Sequence, residues 1–151
     1  MDAHSSSKVN INGTKIPSIG YGTMVFPEPE KAVELISFAL DSGYRHIDTA
    51  RKYGSEAWVG EAIKHSPVAR EDIWVTTKVT EENAKAYDFA QSVETSLTTM
   101  GLNYVDLLLI HWPQPNVSLG ETIGALVKAK NEGLAKNIGI SNFTVDLINQ
   151  A

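Results

Sequence analysis

Five times in succession, a short run rich in apolar and β-branched residues gives way to a stretch with apolar residues at helical spacing. Such alternation commits a chain to parallel pairing through right-handed crossovers, because each strand must be carried back across the sheet by the intervening helix. The strands read as residues 18–23, 44–48, 73–78, 104–111 and 135–141. The run 104–111 is apolar almost throughout, as expected of a parallel strand covered on both faces. Between them, Ala32, Val33, Ile36, Ala39 and Leu40 recur at helical spacing from Glu30 onward, and Gly43 supplies a stop. Helices are likewise expected over 55–65, 83–100 and 119–131, with Thr144 capping a fifth. Ahead of the first unit, residues 9–16 alternate apolar and polar around Asn12-Gly13, a hairpin signal because both turn positions favour positive φ.

Polar residues collect where the strands end: Thr23, Asp48, Lys78, His111 and the pair Ser141-Asn142. In parallel strands these ends all point one way, and in a closed barrel they converge around one axis, where barrel enzymes hold their chemistry. A doubly wound sheet would use mainly the crevice at its switch point. It would also carry a glycine fingerprint, and Gly20-Tyr21-Gly22 is not followed by Gly at the required offset. A (β/α)8 architecture, incomplete here at about five units behind an N-terminal hairpin, is therefore the expected fold, with residues 1–151 forming one domain. A polar residue at one strand end is commonly a cap or loop starter. An acid, an ammonium and an imidazole at successive ends must instead lie near one another.

Composition narrows the function classes. With 13 basic and 18 acidic residues the formal charge is -5, and no basic cluster exceeds Arg51-Lys52, so neither nucleic acid nor an anionic membrane surface is an expected partner. There is no cysteine, which removes disulfides, zinc-thiolate sites and a thiol nucleophile. The polar, Ser-rich start lacks the apolar stretch of a secretion signal, and no apolar run reaches membrane-spanning length, so a cytoplasmic location is expected.

Residues 43–50, Gly-Tyr-Arg-His-Ile-Asp-Thr-Ala, followed by Tyr53-Gly54-Ser55-Glu56 and Val59-Gly60, resemble the first signature of the aldo-keto reductase family. Arg70-Glu71-Asp72 leading to Val75-Thr76-Thr77-Lys78 resembles its lysine strand. Asp106 to Pro113 resembles its histidine strand, and residues 139–143 resemble the motif that holds a nicotinamide carboxamide. The resemblance places a catalytic tetrad on Asp48, Tyr53, Lys78 and His111, and makes NADPH the expected cofactor and an aldehyde or ketone the substrate, with no metal. Tyr53 is promoted by the motif alone. The resemblance further implies cofactor contacts at Gly22, Thr23, Asp48, Ser141 and Asn142, and a substrate pocket lined by Met24, Phe26 and Trp112, with Met24 where the family often has an aromatic ring. Trp58 reads as a packing residue.

The implied chemistry is coherent. Hydride reaching a carbonyl carbon drives charge onto the oxygen, which then needs a proton donor within hydrogen-bond reach. A neighbouring ammonium stabilises the phenolate that a tyrosine leaves behind. A complete barrel needs about 250 residues, so 151 reads as the front portion of a longer enzyme. Its first and fifth strands would be open edges that invite self-association or a complementary chain. The alternatives are a regulatory, NADPH-sensing barrel like those that accompany some channels, and an inactive fragment.

Overall fold

The computed structural model describes residues 7–11, 13–26 and 28–151. Asn12 of the expected hairpin turn, Pro27 and most of the polar N-terminus fall outside them. The hairpin is present: β1 (Lys8–Ile11) pairs antiparallel with β2 (Thr14–Pro17), in register Ile11↔Thr14. Gly13 sits at φ 86° and its N–H bonds to Asn10 Oδ1 at 2.9 Å. The Thr14 hydroxyl donates to Asn137 Oδ1 at 3.1 Å, so the hairpin reaches the N-terminal part of the last strand.

The remaining strands form one parallel sheet in chain order: β3 (Tyr21–Gly22), β4 (His46–Asp48), β5 (Trp74–Val79), β6 (Val105–Ile110) and β7 (Ala135–Ile140). The order never reverses, so there is no switch point; the sheet winds in one direction, as a barrel wall does. Between the strands lie α1 (Ala32–Asp41), α2 (Glu56–His65), α3 (Ala86–Met100) and α4 (Leu119–Asn131), and α5 (Val145–Gln150) follows β7. The first four helices pack in succession, α1 on α2, α2 on α3 and α3 on α4.

The core lies between sheet and helices. Ile47, Val75, Val79, Val105, Leu108 and Ile110 meet Ile36 and Leu40 of α1, Val59 and Ile63 of α2, Phe89, Val93 and Leu97 of α3, and Leu126 of α4. Burying each such side chain is worth about 1.5–3 kcal/mol. Helices α2 and α3 approach closely at Gly60, where a Cβ would stand 2.2 Å from the Met100 carbonyl oxygen. At the N-terminal end of the strands, buried Asp106 bonds Val75 N–H and pairs with Arg70 at 2.9 Å and Lys136 at 3.2 Å. No helix of the described residues is long and apolar enough to cross a membrane.

Three local expectations need correction. The strand expected over 18–23 shrinks to Tyr21–Gly22, because Ser18 N–H is spent on the Ser7 carbonyl and only β4 is available as a partner. Helix α3 begins at Ala86, not 83: residues Glu81–Asn83 form a separate 3-10 turn, and Lys85 is extended at φ -69°, ψ 146°. Likewise Pro29–Lys31 is a 3-10 turn ahead of α1. The expected cap on the last helix is seen, with Leu147 N–H bonding to Thr144 Oγ1 at 3.4 Å.

Candidate active site

The two-residue period of a strand decides which side chains reach the inner face of the sheet. Ile47 and Thr77 point to the helices: Ile47 joins the core, and the Thr77 hydroxyl donates to Glu56 of α2 at 2.7 Å. Asp48 and Lys78, one residue on, therefore face inward. The hydrogen-bond ladder continues past the strand ends, with Thr23 N–H bonding to Asp48 O, Thr49 N–H to Thr76 O, His111 N–H to Val79 O and Ser141 N–H to Ile110 O. These bonds hold the first rim residues in strand-like positions. His111 shares the parity of inward-facing Leu109 and so joins Asp48 and Lys78.

Those three side chains meet. Lys78 Nζ donates to Asp48 Oδ1 at 2.6 Å and to the Thr49 carbonyl at 2.9 Å, with Lys78 itself 7% exposed. Its third contact is the Tyr53 phenol oxygen at 3.4 Å. Tyr53 arrives by a different route. Arg51–Tyr53 is a 3-10 turn, and Gly54 at φ 71° reverses the chain into α2, which leaves the phenol against Lys78 near the end of β5. The His111 ring stands edge-on to the Tyr53 ring, centroids 5.6 Å apart. Its Nδ1 is buried without a hydrogen-bond partner. Burial, with Lys78 nearby, holds the His111 pKa below its ordinary value, so the neutral imidazole is favoured.

The remaining expected contacts divide. Asn142, at φ 61°, donates through Nδ2 to the His111 carbonyl at 2.8 Å and to Ser141 Oγ at 3.1 Å. That leaves the Ser141 hydroxyl proton as a donor and Asn142 Oδ1 as an acceptor, the pair that a primary carboxamide requires. The rim therefore fits a nicotinamide. Gly22 has open space where a Cβ would stand. Thr23, by contrast, is fully buried, and its hydroxyl is taken by Asp48 O at 3.1 Å and Ser55 Oγ at 2.9 Å. Its side chain supports the rim from below. Met24 and Trp112 are exposed, while Phe26 is half-buried and packs edge-on against Trp58 at 5.6 Å, the packing role expected of Trp58. None of the cavities of about 500, 480 and 260 Å³ is lined by the tetrad.

Two features escaped the sequence. The hydroxyls of Thr23, Ser55 and Thr49 form one buried chain that joins the loops after β3 and β4. Lys52 Nζ also pairs with Glu81 Oε1 at 2.7 Å across the mouth of the site. Ser55 lay inside the motif but read as a helix start. Nothing in the spacing of Lys52 and Glu81 signals their contact.

A parallel, singly wound sheet that brings an Asp–Lys pair, a phenol and an imidazole to its C-terminal edge has the architecture of a barrel wall with its polar groups gathered at one rim. The sequence profile of the aldo/keto reductase family matches residues 18–151, and the chain belongs to that family. Methylglyoxal reductase DkgB of Escherichia coli O157:H7 is 45% identical over 138 residues, covering 90% of this chain and 51% of that protein. The crystal structure of an aldo/keto reductase from Brucella melitensis superposes with TM-score 0.87 at 43% identity, covering 95% of this chain and 56% of that one. A Bombyx mori aldo-keto reductase in complex with NADP superposes with TM-score 0.86 at 31% identity, over 95% of this chain and 54% of that one. The chain thus spans about half the length of the curated relatives it matches, and its fold is the first part of a (β/α)8 barrel.

Proposed function

We propose that the protein reduces aldehydes or ketones to alcohols with NADPH, and that Tyr53 is the proton donor. The observation that carries this reading is one ammonium, Lys78 Nζ, within hydrogen-bonding distance of both the Asp48 carboxylate and the Tyr53 phenol. NADPH supplies the hydride when bound; the protein supplies position and field. Ser141 and Asn142 hold the carboxamide, and Gly22 leaves room at the rim for the cofactor to approach. As charge builds on the carbonyl oxygen, Tyr53 gives it the phenolic proton. Lys78 stabilises the resulting phenolate, and Asp48 and the Thr49 carbonyl fix that ammonium in place. His111, beside the phenol, directs the carbonyl oxygen through a hydrogen bond. Met24 and Trp112, both exposed at the rim, line the substrate approach.

The name of the Escherichia coli relative makes methylglyoxal the first aldehyde to try. The test is NADPH consumption by the complete polypeptide that carries these residues, alongside quenching of Trp112 fluorescence by NADPH. Saturable quenching with turnover that Tyr53→Phe abolishes supports the assignment. Tight binding with no turnover indicates the regulatory barrel instead, and normal turnover by Tyr53→Phe overturns the choice of acid.

A further inference from the structure

Three loops meet at the mouth of the site, and a chain of polar contacts ties them together. Lys52 Nζ lies 2.7 Å from Glu81 Oε1, and Gln114 Nε2 donates to the Glu81 carbonyl at 3.3 Å. Lys52 immediately precedes Tyr53, Glu81 lies three residues beyond Lys78, and Gln114 three beyond His111. The tie therefore runs through the loops that carry the phenol, the ammonium and the imidazole. Exposed ion pairs add little to stability, and the Lys52 side chain is half exposed. Yet the Glu81 carboxylate is three-quarters buried, with Oε2 shut off from water, and Lys52 together with the Glu81 backbone N–H holds its charge in place.

We infer that Lys52 and Glu81 form a clasp that positions Tyr53 and His111 and balances the field on the imidazole. Neither residue touches the reacting atoms; both are positioning residues. The catalytic consequence rests on the reductase reading above, but the electrostatic one does not. His111 faces Lys78 and Glu81 from β5 and its loop, Asp48 and Lys52 from β4 and its loop, and the ring of Tyr53. The two lysines oppose the imidazolium, and Glu81 and Asp48 favour it. With the clasp closed, Lys52 and Glu81 act on His111 with opposite signs and offset one another. Removing Lys52 leaves Glu81 uncompensated, so His111 holds its proton to higher pH. Removing Glu81 does the reverse. A tie that mattered only for folding would respond to either removal in the same direction, since either opens it.

The experiment compares Lys52→Met, Glu81→Gln and Lys52→Arg in the complete polypeptide. The His111 imidazole is titrated by NMR without cofactor, its resonance identified by its loss in His111→Gln, and kcat and KM are measured for an aldehyde. The clasp requires the His111 pKa to rise in Lys52→Met, fall in Glu81→Gln and return toward wild type in Lys52→Arg. It also requires kcat to fall about fivefold in the first two variants through misplacement of Tyr53, with KM changed less. Shifts of one sign, or none, overturn it. If Glu81→Gln fails to fold, Lys52→Met decides alone, because a downward or absent shift contradicts the clasp. Opposite shifts in a protein without turnover would sink the reductase reading and leave the clasp standing. Turnover without the split would do the opposite.

Discussion

Substituting Lys78 by Met keeps the length of the side chain and deletes the ammonium on which the site converges. That ammonium holds Asp48 at 2.6 Å, the Thr49 carbonyl at 2.9 Å and the Tyr53 oxygen at 3.4 Å. In the proposed mechanism Tyr53 gives up its proton, and the charge left on its oxygen lies 3.4 Å from Nζ. With an effective dielectric of about 20, that attraction is about 5 kcal/mol. Proton transfer is only partial in the transition state, and Asp48 already draws on the same positive charge. The differential contribution is then about 2–4 kcal/mol, a fall in kcat of about 30- to 1000-fold. The substitution also leaves Asp48, about a third exposed, without its cation. A stability cost of about 1–2 kcal/mol should follow, modest because water reaches the carboxylate. The assay is kcat at saturating NADPH and aldehyde, with cofactor affinity from Trp112 fluorescence and stability from thermal melting. Lys78→Arg should recover only part of the rate, since a planar guanidinium cannot direct three bonds from one nitrogen. A folded Lys78→Met protein that binds NADPH and turns over within threefold of wild type would refute the reasoning.

Two other predictions concern the scaffold. His46 and His111 are both held below their ordinary pKa of 6.5, chiefly by burial, so the unfolded chain binds more protons than the fold does just below that value. Stability contributed by the neutral imidazoles is present above about pH 6.5 and is lost as the pH falls through the lowered folded values. Melting temperature should drop with acidification in that window, and His46→Gln should flatten the dependence; an unchanged profile would contradict it. Gly60→Ala should cost about 3 kcal/mol because its Cβ meets Met100 backbone that cannot move aside. By contrast, Gly124→Ala, exposed within α4 and with nothing within 4 Å of its Cβ, should gain about 0.5–1 kcal/mol from helix propensity. Denaturant unfolding reads both, and equal effects would refute the packing argument.

The periodic parts of the fold were legible. Their positions at successive strand ends bring Asp48, Lys78 and His111 to one rim, because parallel strands carry their C-terminal ends to the same side. The face each side chain takes depends instead on which neighbours, such as Ile47 and Thr77, pack against the helices. The region around Tyr53 was not, since a 3-10 turn closed by Gly54 carries no period; only the resemblance singled out the phenol. The strand at 18–23 and the first turn of α3 were overextended for a shared reason. Pattern marks which residues are apolar, whereas the ladder partner and the Lys85 backbone decide where an element stops. Thr23 shows the same limit within the site: its place at a strand end was visible, but the capture of its hydroxyl by Ser55, 32 residues on, was not. The Lys52–Glu81 contact spans 29 residues and depends on where two loops come to rest.

The most direct test of a phenol, an ammonium, a carboxylate and an imidazole acting as one reducing centre follows the hydrogen itself. The complete polypeptide is incubated with an aldehyde and NADPH deuterated at the transferring position, and the alcohol is analysed by mass spectrometry. The account predicts one deuterium on the carbinol carbon, delivered by the wild type and almost entirely lost with Tyr53→Phe. Alcohol free of deuterium, or labelled alcohol formed at the wild-type rate without the Tyr53 hydroxyl, would contradict it.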